Sequence, residues 1–208
     1  DAGTYAYRAT NDWGTSDRVE ISAANNFALI QKYFRDVHAI NSYDGEGADA
    51  NVFVHLGNNY ANAFWNGVAM FIGDGDGKTA DCLAVLDVCA HEYSHAVTER
   101  ACNLVYAYES GALNESFSDI FGVCVEFRAQ EDDRTNYPVA TPGKADWLMG
   151  EDCWRSSPAL RDMRNPANTV TVGVGGEQPT RYKGTHWYSG SADNGGVHQN
   201  SGVQNFFF

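Results

Sequence analysis

Apolar positions recur at helical spacing in some stretches of the chain and alternate in others. From Ser22, placed to cap a helix, Phe27, Ile30, Phe34 and Val37 follow one face and predict a helix to about His38 with one buried stripe. Asn51-Val-Phe-Val-His-Leu56 alternates as a strand does, and Val68–Ile72 is more continuously apolar and predicts a second strand. Asn41–Asn51, between that helix and the first strand, is acidic and glycine-containing and reads as a surface loop. Gly73-Asp-Gly-Asp-Gly77 resembles part of a calcium loop, but it lacks the later acidic ligand of an EF-hand and is read as a turn.

Asp87 is placed to cap the next helix, and a further helix is predicted from Gly111 to about Arg128. Residues 1–21 lack clear periodicity and read as loop with at most a short strand. Residues 130–145, polar and interrupted by prolines, are also loop. Arg164–Gly196 is rich in Gly, Asn and Thr; such long irregular segments are functional or disordered, and this one leads into Asn194-Gly-Gly-Val-His198. The final Val203-Gln-Asn-Phe-Phe-Phe208 starts a helix and stops inside it, so a continuation beyond Phe208 is expected.

Composition narrows the function. The 208 residues are 43% apolar and 20% charged, an ordinary globular balance with material for a core. A formal charge of −13 with only 14 Lys and Arg argues against nucleic acid or an anionic membrane as partner, since no basic run is present to neutralise phosphates. No stretch approaches a membrane span, and no signal-peptide pattern opens the chain at Asp1; a secreted form would have lost its leader. Cys82, Cys89, Cys102, Cys124 and Cys153 are odd in number and form no C-x-x-C pair, which disfavours a cysteine zinc site. Cys89, Cys102 and Cys124 read as buried thiols acting as small apolar residues.

The chemistry lies between Asp87 and Asp119. His91-Glu92-Tyr-Ser-His95 is an H-E-x-x-H pattern. On a helix the two imidazoles project from one face and can hold a zinc ion, with Glu92 able to reach a water beside it. A third His six residues beyond His95 would complete one version of such a site, but Ala101 stands there, and Thr98 replaces the glycine that pattern needs. Glu115 is the better third ligand. Glu115, Asp119, Gly122 and Glu126 share one stripe of the following helix, which also carries Ala112, so these acids read as more than surface decoration.

HEYSHAVTE, ESGALNESFSDIFG and DNGGVH-x-NSG, preceded by Asn62-Ala-Phe-Trp-Asn-Gly67 and the Gly73–Gly77 turn, resemble the thermolysin family of zinc endopeptidases (gluzincins) in content and order. The resemblance runs from about Tyr33 to the end. It implies an α+β, two-lobed zincin shortened at both ends. Residues 1–86 would form a mixed N-terminal lobe with an edge strand, and residues 87–208 the zinc-site helices and the start of an incomplete helical C-terminal lobe.

The same resemblance implies site roles. His91, His95 and Glu115 would hold one catalytic zinc, with Glu92 as general base. Asp119 would accept from His91, and Asn114 would support His95. His198, oriented by Asp193, and Tyr106 would stabilise the oxyanion. Asn62 and Ala63 would receive an extended peptide. Val88, Met149, Leu160, Cys82 and Cys153 would line the pocket for a hydrophobic residue after the scissile bond, and Arg161 would bind the substrate carbonyl. Cys82 and Cys153 are expected to form a disulfide at the pocket wall. Asp87, Glu126, Asp146 and Glu151, with the Leu148 carbonyl, would hold one structural calcium. The implied partners are protein or peptide substrates and a missing C-terminal segment or propeptide, with an extracellular location. The competing readings are a metallohydrolase restricted to chain ends and a zinc-binding module without activity. A binding module needs neither Glu92 nor His198.

Overall fold

A computed structural model of the protein describes residues 4–6, 13–130, 145–171 and 174–208. The architecture is α+β, with strands confined mainly to the first part and helices dominating the second. Helix α1, Arg18–His38, starts four residues before Ser22 because a 3-10 turn at Thr15–Asp17 leads straight into it. Its buried face is Ala23, Phe27, Ile30, Tyr33 and Phe34, whereas Val37 lies on the open side. The helix stops where Ala39 turns left-handed (φ 58°) and its N–H returns to the carbonyls of Arg35 and Phe34.

Three strands form a sheet in the order β1-β3-β2: Val52–Leu56 (β1), Ala63–Trp65 (β2) and Met70–Gly73 (β3). β1 runs parallel to β3, and β2 antiparallel to it. β3 starts at Met70 and not at Val68, because Asn66 closes a turn by accepting from the N–H groups of Val68 and Ala69. Periodicity does not show β2, since three residues are too few for alternation to register; the resemblance alone implied an edge strand near Asn62 and Ala63. Ala63, Met70 and Ile72 face the core, where they join the α1 stripe and Tyr93. On the opposite face Phe53, Phe71 and Phe64 stack in a row across the three strands.

Helix α2, Leu86–Ala101, is buried on almost every side, from Asp87 through Ser94 and again from Ala96 to Thr98. Its N-cap is Val85; Asp87 sits inside the first turn and does not cap it. The helix ends where Cys102 and left-handed Asn103 both donate to the Thr98 carbonyl. Helix α3, Tyr108–Ala129, packs along α2. Short strands Leu148–Met149 (β4) and Arg161–Asp162 (β5) pair antiparallel beside it, and α4 (Asp193–Asn200) and α5 (Gly202–Phe207) follow. Residues 131–144, most of the expected 130–145 loop, lie outside the described residues. No helix among the described residues is long and apolar enough to cross a membrane.

The cysteines correct two expectations. All five are free thiols, and the Cys82–Cys153 disulfide is not formed. The Cys153 Sγ turns to the Gly150 carbonyl at 3.4 Å, while the Cys82 Sγ lies 4.0 Å from Asp74 Oδ1. Cys89 is buried and Cys124 half-buried as small apolar residues, but Cys102, at the frayed end of α2, is exposed.

Glycine 122 sets how closely α3 approaches its neighbours. A Cβ there would come to 2.9 Å from the Asp87 carbonyl oxygen and 3.0 Å from the Met149 sulfur. Gly122→Ala should therefore destabilise the fold by about 1–3 kcal/mol despite alanine's better helix propensity. Urea denaturation measures this; a more stable variant would contradict the packing.

Candidate active site

The α2 helix sets His91 and His95 one turn apart, with their Nε2 atoms 3.0 Å from each other. Across the helix pair, α3 delivers Glu115, whose Oε2 is 3.4 Å from His91 Nε2 and whose Oε1 is 3.3 Å from His95 Nε2. One ligand atom from each of the three residues lies within 4.8 Å of the other two. The far ring nitrogens are committed: His91 Nδ1 is 2.8 Å from Asp119 Oδ1, and His95 Nδ1 is 2.7 Å from Asn114 Oδ1. Donation from Nδ1 to those oxygens leaves both Nε2 lone pairs aimed at the common point.

Buried electrostatics show what this point suits. Glu115 is only 1% exposed, and its Oε2 has no hydrogen-bond partner. Burial works against a charged His91, yet Asp119 and Glu115 outweigh it and push its pKa up to about 10. Burial would likewise raise Glu115, but His198, His95 and His91 hold it well below the ordinary carboxylate range. Two imidazole nitrogens and a buried carboxylate within reach of one another are donor types that suit zinc.

Asp119 is the hub behind these ligands. Besides His91, it accepts from Arg161 through Nε (2.7 Å) and Nη2 (2.6 Å), and from Asn205 Nδ2 at 2.8 Å. Asn205 in turn accepts from Ser116 at 2.6 Å. Burial alone would raise the Asp119 pKa; the cationic partners win and lower it to about 2. Asn205 and Ser116 were not foreseen, since neither polar residue carries a spacing that marks it.

Glu92 is buried beside the metal-ligand set, and its Oε2 accepts the backbone N–H of Trp65 at 3.0 Å. Tyr106 donates to Glu115 Oε1, and its hydroxyl is 3.5 Å from His198 Nε2. Asp193 clasps His198 twice, at Nδ1 (2.7 Å) and at the backbone N–H (2.9 Å). Burial opposes a charged His198, but Glu115 and Asp193 raise its pKa above the ordinary value. The clasp depends on a left-handed turn: Asp193, Asn194, Gly195 and Gly196 have φ of 53°, 51°, 89° and 79°. A Cβ on Gly195 would run into the Tyr108 ring, and one on Gly196 would come to 2.6 Å from Tyr188. The Asp-Asn-Gly-Gly sequence is what such a turn requires.

These groups open on a cleft of about 860 Å³. Asn62, Ala63, Val88, Met149, Leu160 and Arg161 line it. Cys82 and Cys153 do not; their neighbours Leu83 and Trp154 face the cleft instead. β2 forms one rim, paired with β3 on one side and at the edge of the sheet on the other. The Asn62 carbonyl is spent on the Gly73 N–H, and the Asn62 side-chain amide lies 3.5 Å from the Tyr60 hydroxyl.

A second acidic group lies behind α3. Ligand atoms of Glu126, Glu151 and Asp152 converge, and Asp152 was not foreseen. Burial, reinforced by the neighbouring acids, pushes Glu126 up to about 9, Glu151 to about 8 and Asp87 to about 6. The Oε2 atoms of Glu126 and Glu151 are buried without hydrogen-bond partners. Asp87 accepts from the N–H groups of Gly150 and Val88, and Asp146 accepts from Leu148 N–H at 2.7 Å.

Residues 1–99 match the family model of the thermolysin metallopeptidase catalytic domain, and residues 102–208 that of its alpha-helical domain. A bacillolysin of Brevibacillus brevis is 45% identical over 207 residues, which cover 98% of this chain and 34% of that protein. A thermolysin of Alicyclobacillus acidocaldarius subsp. acidocaldarius is 40% identical over 193 residues, covering 91% of this chain and 32% of that one. Among solved structures, the precursor of protealysin, a metalloproteinase from Serratia proteamaculans, matches with a TM-score of 0.82 at 32% identity, over 99% of this chain and 63% of that chain. The chain thus spans about a third of the length of these curated relatives. With the two family models matching residues 1–99 and 102–208 and the same fold recovered, the chain belongs to the thermolysin family of metallopeptidases.

Proposed function

We propose that the chain carries the catalytic centre of a zinc-dependent endopeptidase that hydrolyses internal peptide bonds of proteins. What carries this reading is the convergence of His91, His95 and the buried carboxylate of Glu115 beside Glu92, at the rim formed by the β2 edge. His91, His95 and Glu115 would hold the zinc. Zinc bound there supplies a Lewis acid that polarises a peptide carbonyl and makes a water easier to deprotonate.

The chain's own residues do the rest. Glu92, with one oxygen anchored on the Trp65 N–H, takes a proton from the attacking water and returns it to the leaving amine. His198, with its pKa raised and its ring oriented by Asp193, donates to the oxyanion. Tyr106 swings from Glu115 to become a second donor; burial and the Glu115 charge raise its pKa and keep it protonated. Asp119 fixes the His91 ring, and its two bonds to Arg161 present that guanidinium to a substrate carbonyl. Asn62, Ala63 and the rest of the β2 rim receive an extended peptide by edge pairing. Leu83, Val88, Met149 and Leu160 make the adjoining wall apolar, which favours a hydrophobic residue after the cleaved bond. Protein substrates, an extracellular location and the division into lobes at 86/87 belong to the same reading.

We also assign one structural calcium to Glu126, Glu151 and Asp152, with Asp87, Asp146 and the Leu148 carbonyl around it. Buried acids with raised pKa values and unpartnered oxygens are what a hard, oxygen-seeking cation relieves.

Two results check these roles. Glu92→Gln should retain zinc while cleavage of a denatured protein falls about 1000-fold; cleavage within a few-fold of wild type would remove Glu92 from the mechanism. For the calcium, the sign follows from the raised pKa values of Glu126 and Glu151. Without the cation, their stabilising protonation is complete below the ordinary 4.5 and is lost as pH rises through about 8 and 9. The gap in melting temperature between calcium-loaded and calcium-free, zinc-retaining protein should widen from pH 5 to pH 9 (roughly the titration window). A gap that is absent or constant with pH contradicts the site.

A further inference from the structure

Trp65 is held at two points by carboxylates of one helix. Its backbone N–H donates to Glu92 Oε2 at 3.0 Å, and its indole Nε1–H donates to Glu99 Oε2 at 2.7 Å. Glu92 and Glu99 are seven residues apart, two turns of α2, and so lie on the same helix face. All three residues line the cleft. The other side of the indole packs on Tyr43, with ring centroids 5.4 Å apart. β2 has only three residues and one hydrogen-bonded neighbour strand, so the sheet by itself gives its open edge little to hold it in place.

Resting on the reading of this cleft as a peptidase site, we propose that Glu99 is a positioning residue. Its hydrogen bond to the Trp65 indole clamps the β2 edge to α2, and so fixes the substrate-binding strand and the carboxylate of Glu92 relative to each other. The β3 ladder and the Trp65–Glu92 bond hold the backbone of the strand. The indole bond adds a second tether to α2, about two helix turns from the first, and so limits sliding of the strand along the helix. A bond with a charged acceptor is strong enough for its loss to be measurable, on the order of 10-fold in a rate or equilibrium constant. Among the described residues, Glu99 makes its hydrogen bond to the Trp65 indole and none to His91, His95 or Glu115, so in this proposal its effect on the site runs through Trp65.

The test is a double-mutant cycle with a conservative rescue. In zinc-loaded protein acting on an extended peptide, Glu99→Leu and Trp65→Phe should each lower kcat/KM about 10-fold. Trp65→Phe keeps the backbone N–H to Glu92 and an aromatic ring beside Tyr43, and removes the indole donor together with part of the ring volume. The double variant should be no more than about 2-fold worse than either single one, and Glu99→Gln, which keeps an acceptor oxygen, should stay within about 3-fold of wild type. Zinc content should be unchanged throughout. Hydrogen exchange of the residue 63–65 amides in zinc-loaded protein provides a readout independent of turnover; it should quicken in Glu99→Leu and not in Glu99→Gln. Multiplicative losses in the double variant, or a Gln variant as impaired as the Leu one, overturn the clamp. If the wild-type protein cleaves no peptide, the peptidase reading fails, and the exchange comparison still decides whether Glu99 holds β2.

Discussion

The structure is governed by a helix that is buried on nearly all sides and yet carries Asp87, His91, Glu92 and His95. An unpaired charge in that position would cost several kcal/mol, so every neighbouring element is arranged to meet one of these side chains. α3 supplies Asp119 and Glu115 to the histidines, β2 brings a backbone N–H to Glu92, and the β4 hairpin brings the Gly150 N–H to Asp87. Burying a site of this kind is costly, and the cost is offset only when every partner is present. The pairing Asp119–His91, backed by Arg161 and Asn205, is the most completely satisfied part of it. Glu115 Oε2 makes no hydrogen bond and has the Nε2 atoms of His91 and His198 at 3.4 Å, which is where the proposed cation would sit.

Around this centre, local backbone geometry serves the chemistry. The left-handed run Asp193–Gly196 lets one carboxylate grip both the ring and the backbone of His198. Strain of that kind persists only where the surroundings hold it, here the Tyr108 and Tyr188 rings against the two glycines. The rim on the opposite side of the cleft is the short strand β2, held by hydrogen bonds to α2 as well as by its sheet neighbour.

Much of the centre was legible from residue types and spacing. His91 and His95 at i, i+4, and Glu115 and Asp119 one turn apart, are side-chain facts that a helix converts directly into geometry. The resemblance to a family added His198, Tyr106 and Asp193, whose distance in sequence hides their proximity. What escaped depends on backbone groups or on packing parity. Trp65 acts through its N–H, which no residue type announces, and Asn205 reaches Asp119 from a helix 86 positions away. The cysteines misled because the cleft wall is built one residue away, from Leu83 and Trp154, with the thiols turned to Asp74 and Gly150. β2 left no periodicity because it is short and came only from the resemblance, and α1 began early because a 3-10 turn continues into it.

The central claim is that the buried charges of α2 and α3 are arranged around one divalent ion. X-ray absorption at the zinc edge on the protein loaded with one equivalent of zinc tests it directly. The account predicts two imidazole nitrogens at about 2.0–2.1 Å, carboxylate and solvent oxygen at about 2.0–2.2 Å, and no sulfur. A sulfur shell at about 2.3 Å, or an all-oxygen shell without imidazole, would place the metal elsewhere and contradict it.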